Sequence, residues 1–273
     1  MRWTERQHTL LAGLGLKLWQ APAGHSEPAA HPAPPSPLPP VARPHRPPSA
    51  MAPSVPVPAP APEVENTVLV PAPTVPGVAS LDWAGLRQAV ASCEACSLCR
   101  SRTQTVFGVG AERADVMIVG EAPGEQEDLR GEPFVGPAGQ LLDNMLRAIG
   151  HSRAPGEGSP LRPVFIANTL KCRPPRNRNP DAQELARCLP FLYRQIELVQ
   201  PRLLLASGKF AIQALLDTQE AVGRLRGRVH QFRGIPVVVT YHPAYLLRQL
   251  AEKSKAWDDL CLAMHTLSRL PPR

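Results

Sequence analysis

The chain has 273 residues, 34 of them proline, and carries 30 Lys+Arg against 23 Asp+Glu for a formal net charge of +7. Nineteen of the prolines fall within the first 80 residues, a Pro/Ala/Val-rich stretch without helical or strand periodicity that cannot assemble a core. The rest, about 190 residues of ordinary globular composition and holding +6 of the charge, is large enough for one core; no stretch is apolar enough for a membrane span, and the charge favours a polyanionic partner.

In chain order, residues 1–20 come first as a short amphipathic peptide. Leu11, Leu14 and Leu18 share one helical face, while Gly15 disfavours independent stability. Arg2, the apolar run to Trp19 and Ala21-Pro-Ala23 imitate a signal peptide, but Lys17 breaks the run and Glu5, Gln7 and His8 dilute its basic start, so a cytoplasmic protein is expected. Residues 21–80 read as a disordered linker, and the folded domain is expected over 81–273.

Six cysteines follow in that domain. Cys93, Cys96 and Cys99 are evenly spaced, Cys172 and Cys188 form a separate pair, and Cys261 stands alone in the last helical segment, where it reads as a buried apolar residue. Clustered thiols argue for metal in a reducing compartment rather than for disulfides. Two thiolate pairs suit tetrahedral zinc or a [4Fe–4S] cluster, and spacing alone does not choose between them or pick four ligands from five.

Four apolar runs, Val116–Gly120, Val164–Asn168, Leu203–Ala206 and Val237–Thr240, have the look of parallel strands buried on both faces. Helical spacing separates them over Ala138–Ile149, Asp181–Val199 and Lys209–Leu216, and a last helix is expected over Ser254–Leu270. Strand alternating with helix predicts an α/β protein, a three-layer α/β/α sandwich on a central, mostly parallel four-stranded sheet. Ligands of such sheets bind beyond the carboxyl ends of the strands. Glu121, Asn168 and His242 each fall there, after the first, second and fourth strand.

Four segments carry a more specific signal: Gly120-Glu-Ala-Pro-Gly-Glu-Gln-Glu-Asp128, Glu132-Pro-Phe-Val-Gly-Pro-Ala-Gly139, Ala167-Asn-Thr-Leu-Lys-Cys-Arg-Pro-Pro-Arg-Asn-Arg178 and His242-Pro-Ala-Tyr-Leu-Leu-Arg248. Together, and in this order, they resemble the iron–sulfur uracil-DNA glycosylases of family 4 over roughly residues 85–270. The resemblance implies the uracil-DNA glycosylase fold, hydrolysis of the N-glycosidic bond of deoxyuridine in DNA, and a [4Fe–4S] cluster on Cys93, Cys96, Cys172 and Cys188, with Cys99 a bystander.

The residue types suit that chemistry. An enzyme acting on a base must extrude it, stack it and read its edge. Phe134 is the candidate stacking face, and Asn168 offers uracil one donor and one acceptor, the opposite of what cytosine needs. His242 is placed to donate to the negative charge that develops on the leaving base. Glu121 suits positioning of water and balancing of the sugar's positive charge. The resemblance adds Glu127 as a wall against the thymine methyl, while Glu125 and Asp128 read as a solvated acidic loop. Asn177 is a further catalytic candidate that would orient water or phosphate. Lys171, Arg173, Arg176 and Arg178 are expected on DNA phosphates, and Leu246 as the wedge that fills the gap left by the flipped base.

The Leu11–Trp19 pattern, Leu-x-x-Leu-Gly-Leu-x-x-Trp, is similar to the N-terminal segment of the bacterial clamp loader's psi subunit. This implies a monomeric glycosylase leashed to the clamp loader or another replisome component. The rival reading is a catalytically silent iron–sulfur DNA-binding protein tethered to the replisome.

Overall fold

The computed structural model describes residues 77–272, so the peptide and nearly all of the linker expected at 1–80 lie outside the described residues. Of the linker, Val78 is already buried, in a short 3-10 turn over Val78–Ser80.

Seven strands form the sheet: β1 (Val109–Gly110), β2 (Val116–Gly120), β3 (His151–Ser152), β4 (Arg162–Asn168), β5 (Leu203–Ser207), β6 (Val229–Phe232) and β7 (Ile235–Thr240). The order is β1-β4-β2-β5-β7-β6, with β3 beside β4. Its centre, β4-β2-β5-β7, is wholly parallel and consists of the four predicted strands. The short strands β1 and β6 close the edges in antiparallel fashion.

Eight α-helices join these strands among the described residues: α1 (Trp83–Ala91), α2 (Glu125–Arg130), α3 (Pro137–Ala148), α4 (Ala182–Val199), α5 (Lys209–Leu216), α6 (Val222–Leu225), α7 (Pro243–Arg248) and α8 (Lys253–Arg269). Side chains alternate across each strand, and both sets are apolar because both faces are covered. Val116, Ile118, Val164, Ile166, Leu203, Leu205 and Val238 meet Leu142 and Leu146 of α3 and Leu260, Ala263 and Leu267 of α8. Met117, Val119, Phe165, Leu204, Ala206, Val237 and Val239 meet Leu192 and Ile196 of α4 and Ile212 and Leu215 of α5. The three-layer α/β/α sandwich follows.

A satellite core joins α1 to the cysteine segments through Leu86, Val90, Leu98, Leu170, Leu185, Phe191 and Phe210. Helix α4, which delivers Cys188 to it, starts on a reciprocal cap. Asp181 accepts from Glu184 N at 2.7 Å, and the Glu184 carboxylate accepts from Asp181 N at 3.0 Å. Cys261 is exposed on α8, not buried as the sequence suggested.

Register places the site. Gly120 pairs with Asn168, and Ser207 with Thr240, so the four parallel strands end nearly level. The next residues, Glu121, Thr169, Gly208 and Tyr241, therefore enter loops at one edge.

Candidate active site

One cavity opens at that edge, lined by Glu121, Glu127, Phe134, Asn168, Asn177, Lys209, Tyr241, His242 and Tyr245 among others. It brings together the six residues expected in catalysis or base binding: Glu121, Glu127, Phe134, Asn168, Asn177 and His242.

Asn168 ends β4 and is 2% exposed, yet its Oδ1 has no hydrogen-bond partner. A buried amide oxygen left unpaired costs about 1–3 kcal/mol, and this one belongs to a residue that lines the cavity. Phe134 lies against the same spot in a left-handed turn, φ 55°, with its ring stacked on His242 at 5.4 Å and 29°. Arg153 holds this turn, donating to Pro133 O at 2.7 Å and Phe134 O at 3.0 Å while pairing with Asp143 at 2.8 Å. Gly120 makes the arrangement possible. A β-carbon there would fall 2.4 Å from Asn168 Oδ1 and 2.5 Å from Phe134 Cζ, so only glycine lets the two side chains converge.

His242 caps α7, and its Nδ1 accepts from Ala244 N at 3.2 Å. The neutral ring consequently carries its proton on Nε2, free to donate into the cavity. Burial, helped by the Arg248 charge, pushes the His242 pKa down to about 4, against a small opposing pull from Glu127. It is thus a neutral donor at neutral pH. Burial raises the Glu121 pKa, and Lys209, the first residue of α5, acts against that rise. Sequence reading missed Gly120, Arg153 and Lys209. Gly120 alone had a signal, its place directly before Glu121 in the first motif.

Glu127 sits at the cavity wall but spends its carboxylate on backbone. Oε1 accepts from Val135 N at 2.9 Å and Gly136 N at 3.1 Å, and Oε2 from Gly124 N at 3.1 Å. It locks the first motif's loop to the loop that carries Phe134. Asp128 is no solvated acid: it is buried and accepts Thr103 N with both oxygens at 3.0 Å. Asn177 stands at the rim and accepts from Arg173 Nε at 2.8 Å. Glu125 is exposed beside Arg173, 3.5 Å away.

The basic residues divide. Arg176 is exposed, and Arg173 lies half-buried against Glu125 and Asn177. Arg178 is also at the surface but grips the buried Glu184 with two hydrogen bonds, 2.9 and 2.5 Å. Lys171 corrects the expectation of a phosphate contact. It is buried, and its Nζ donates to Asn168 O at 2.8 Å and Gln195 Oε1 at 2.7 Å. It braces the strand end that carries Asn168. Leu246 is the second correction: at 1% exposure it faces the core from α7, while its neighbours Tyr245 and Leu247 are exposed.

Beneath the satellite core, Cys93, Cys96, Cys172 and Cys188 line a second, small and apolar cavity with Arg102 and Lys171; Cys99 is not part of its wall. All six cysteines are free thiols. Arg102 Nη1 donates to Cys172 Sγ at 3.2 Å and Lys171 N to Cys188 Sγ at 3.2 Å. Burial pushes the Cys188 thiol up to about 12 and raises Cys96 and Cys172 as well. Among the described residues, no three His, Cys, Asp or Glu side chains stand close enough together to hold a metal ion.

Comparison with known proteins bears on both cavities. Residues 107–261 match the family model of the uracil DNA glycosylase superfamily. The chain is 40% identical over 190 residues to a type-4 uracil-DNA glycosylase of Pyrobaculum aerophilum, covering 67% of this chain and 93% of that one. To the type-4 enzyme of Archaeoglobus fulgidus it is 40% identical over 166 residues, 58% of this chain and 79% of that one. To that of Thermotoga maritima it is 41% identical over 161 residues, 58% and 80% of the two chains.

Proposed function

The chain belongs to the uracil DNA glycosylase superfamily, and from that premise we propose that its cavity receives a uracil turned out of DNA and that the residues around it cleave the base from the sugar. The protein is a DNA glycosylase, a hydrolase acting in base excision repair. The unpaired Oδ1 of buried Asn168 carries this reading. Uracil offers a ring N–H donor beside a carbonyl acceptor, which one fixed amide satisfies; cytosine offers the reverse and would leave both groups unpaired.

The reaction follows from the neighbours. Phe134 supplies the stacking face. As the C1′–N1 bond breaks, its electron pair passes to the base, and the Nε2–H of neutral His242 donates to the oxygen where that charge collects. A neutral donor suits this role because it need not give up its proton. Glu121, whose upward shift on burial Lys209 opposes, would as its carboxylate balance the positive sugar and take a proton from the water that attacks C1′. Glu127, which ties the two pocket loops together, would in that way fix the wall that excludes a 5-methyl group.

Cys93, Cys96, Cys172 and Cys188 would hold a [4Fe–4S] cluster. Their donor set suits it in chemistry, four free thiols on three segments around one cavity with N–H groups directed at two of the sulfurs, although no three of them converge on a single-ion site among the described residues. Buried thiols of raised pKa are neutral by themselves and ionise on iron. Holding it, the four cysteines would tie the residue 93–96 turn, the Lys171–Arg178 loop and α4 together. Arg173, Arg176 and Arg178 are the phosphate contacts at the rim. Residues 1–20, outside the described residues, are assigned to a replisome component, the clamp-loader collar first; a pull-down with the isolated peptide and its Trp19→Ala form tests this, and equal retention would refute it.

The test of function is release of free uracil from uracil-containing oligonucleotides, single-stranded and opposite A or G. Release that leaves an abasic site is expected, and none from any of them would overturn the reading.

A further inference from the structure

The corrected position of Leu246 leaves the gap in duplex DNA without its expected filler. We propose that Tyr245, not Leu246, enters the base stack when uracil is extruded, an inference that rests on the glycosylase reading above. A side chain can replace a base in the stack only if it reaches out from the pocket mouth, presents an apolar face and is already held in place. Leu246 fails the first condition at 1% exposure, whereas Tyr245 is 36% exposed on the rim of the base cavity, three residues after His242.

Tyr245 also meets the other two. Its ring stacks on Tyr241 with centroids 5.0 Å apart and planes at 30°. Tyr241 in turn lies under the Arg226 guanidinium, 5.8 Å from the ring centre. Arg226 is fixed by Asp259, fully buried, through contacts of 3.1 Å from Nε and 3.0 Å from Nη2. A ladder of planar groups therefore runs from the core to the mouth and ends in an exposed aromatic face. Stacking on a base is worth about 1–3 kcal/mol, and the ladder lowers the ordering cost of presenting that face. Leu247, also exposed, has no such backing.

The role has a specific signature, since only a duplex has a gap to fill. In the full chain, single-turnover uracil release is measured on one sequence as single strand and as duplex, together with the fluorescence of 2-aminopurine placed beside the uracil. Tyr245→Ala should lower the duplex rate at least tenfold relative to the single-strand rate and reduce the fluorescence rise on binding duplex; Tyr245→Phe should restore both. Leu246→Ala should lower the melting temperature and affect both substrates alike. Equal losses of Tyr245→Ala on the two substrates, or a duplex-specific loss in Leu246→Ala alone, would overturn the proposal. An unmodified chain inactive on both substrates would overturn the glycosylase reading itself.

Discussion

The base cavity and the cysteine cavity are both lined by one segment, Asn168 to Arg178, and they treat polar groups in opposite ways. Around the cysteines each buried group is tied off. Lys171 has two acceptors, Arg102 holds Cys172 Sγ and Cys93 O, and Glu184 is gripped by Arg178. In the base cavity Asn168 Oδ1 is left without a partner, His242 has Nδ1 tied to Ala244 N and its proton on Nε2, and Glu121 is burdened by burial. The difference holds for these two cavities and is no rule for the whole fold, since His151 Nε2 and Arg202 Nε, away from both, are buried without a partner too. Lys171 joins the two, since the side chain that is satisfied on one side braces the backbone of the residue that is unsatisfied on the other.

The comparison breaks most severely at Cys188. The intact protein should be brown and hold about four irons per chain; Cys188→Ser should abolish both along with solubility, whereas Cys99→Ser should keep them. Iron analysis and absorption spectra check this, and stoichiometric zinc without iron would refute the cluster. His242→Ala is the reverse case. It should slow uracil release by about two to three orders of magnitude, the cost of losing an oxyanion-type donor, while melting temperature and affinity for abasic DNA change little.

A smaller effect is expected from pH. His242 binds its proton at about 4 in the folded state and near the ordinary histidine value when unfolded. Between those values the unfolded chain holds the extra proton, so this group's contribution to stability is full above about pH 6.5 and falls away as pH drops toward 4. Melting curves over that window should be shallower with pH in His242→Ala than in the unmodified protein. The smallest effect separates the two kinds of cation. Arg176→Ala should lower the salt slope of DNA binding by about one unit, and Lys171→Met should leave that slope unchanged while lowering stability.

How much of this was legible follows from the range over which each signal acts. The parallel strands and the helix Lys209–Leu216 were readable because burial on two faces and a 3.6-residue period repeat over several residues. Strands β1, β3 and β6 span two to four residues of mixed exposure and leave no such trace. Glu121, Asn168 and His242 could be set at one cavity from the strand ends where they stand. Lys171 was not, because in a loop nothing local tells an inward lysine from the outward arginines beside it. Leu246 was misplaced for a related reason: α7 has six residues, too few for a period to reveal its inner face. Asp128 and Arg153 act across 25 and about 20 residues of sequence, contacts that only the fold creates.

Asn168→Asp shows most directly whether the unpaired oxygen of Asn168 is there for uracil. The change keeps shape and the acceptor but turns the amide donor into a second acceptor. Single-turnover release of uracil should fall about tenfold to a hundredfold, as expected when a buried hydrogen bond is lost and an acceptor is left unpaired, with selection against cytosine weakened and the melting temperature little changed. Release at the unmodified rate with unaltered base selection would contradict the account.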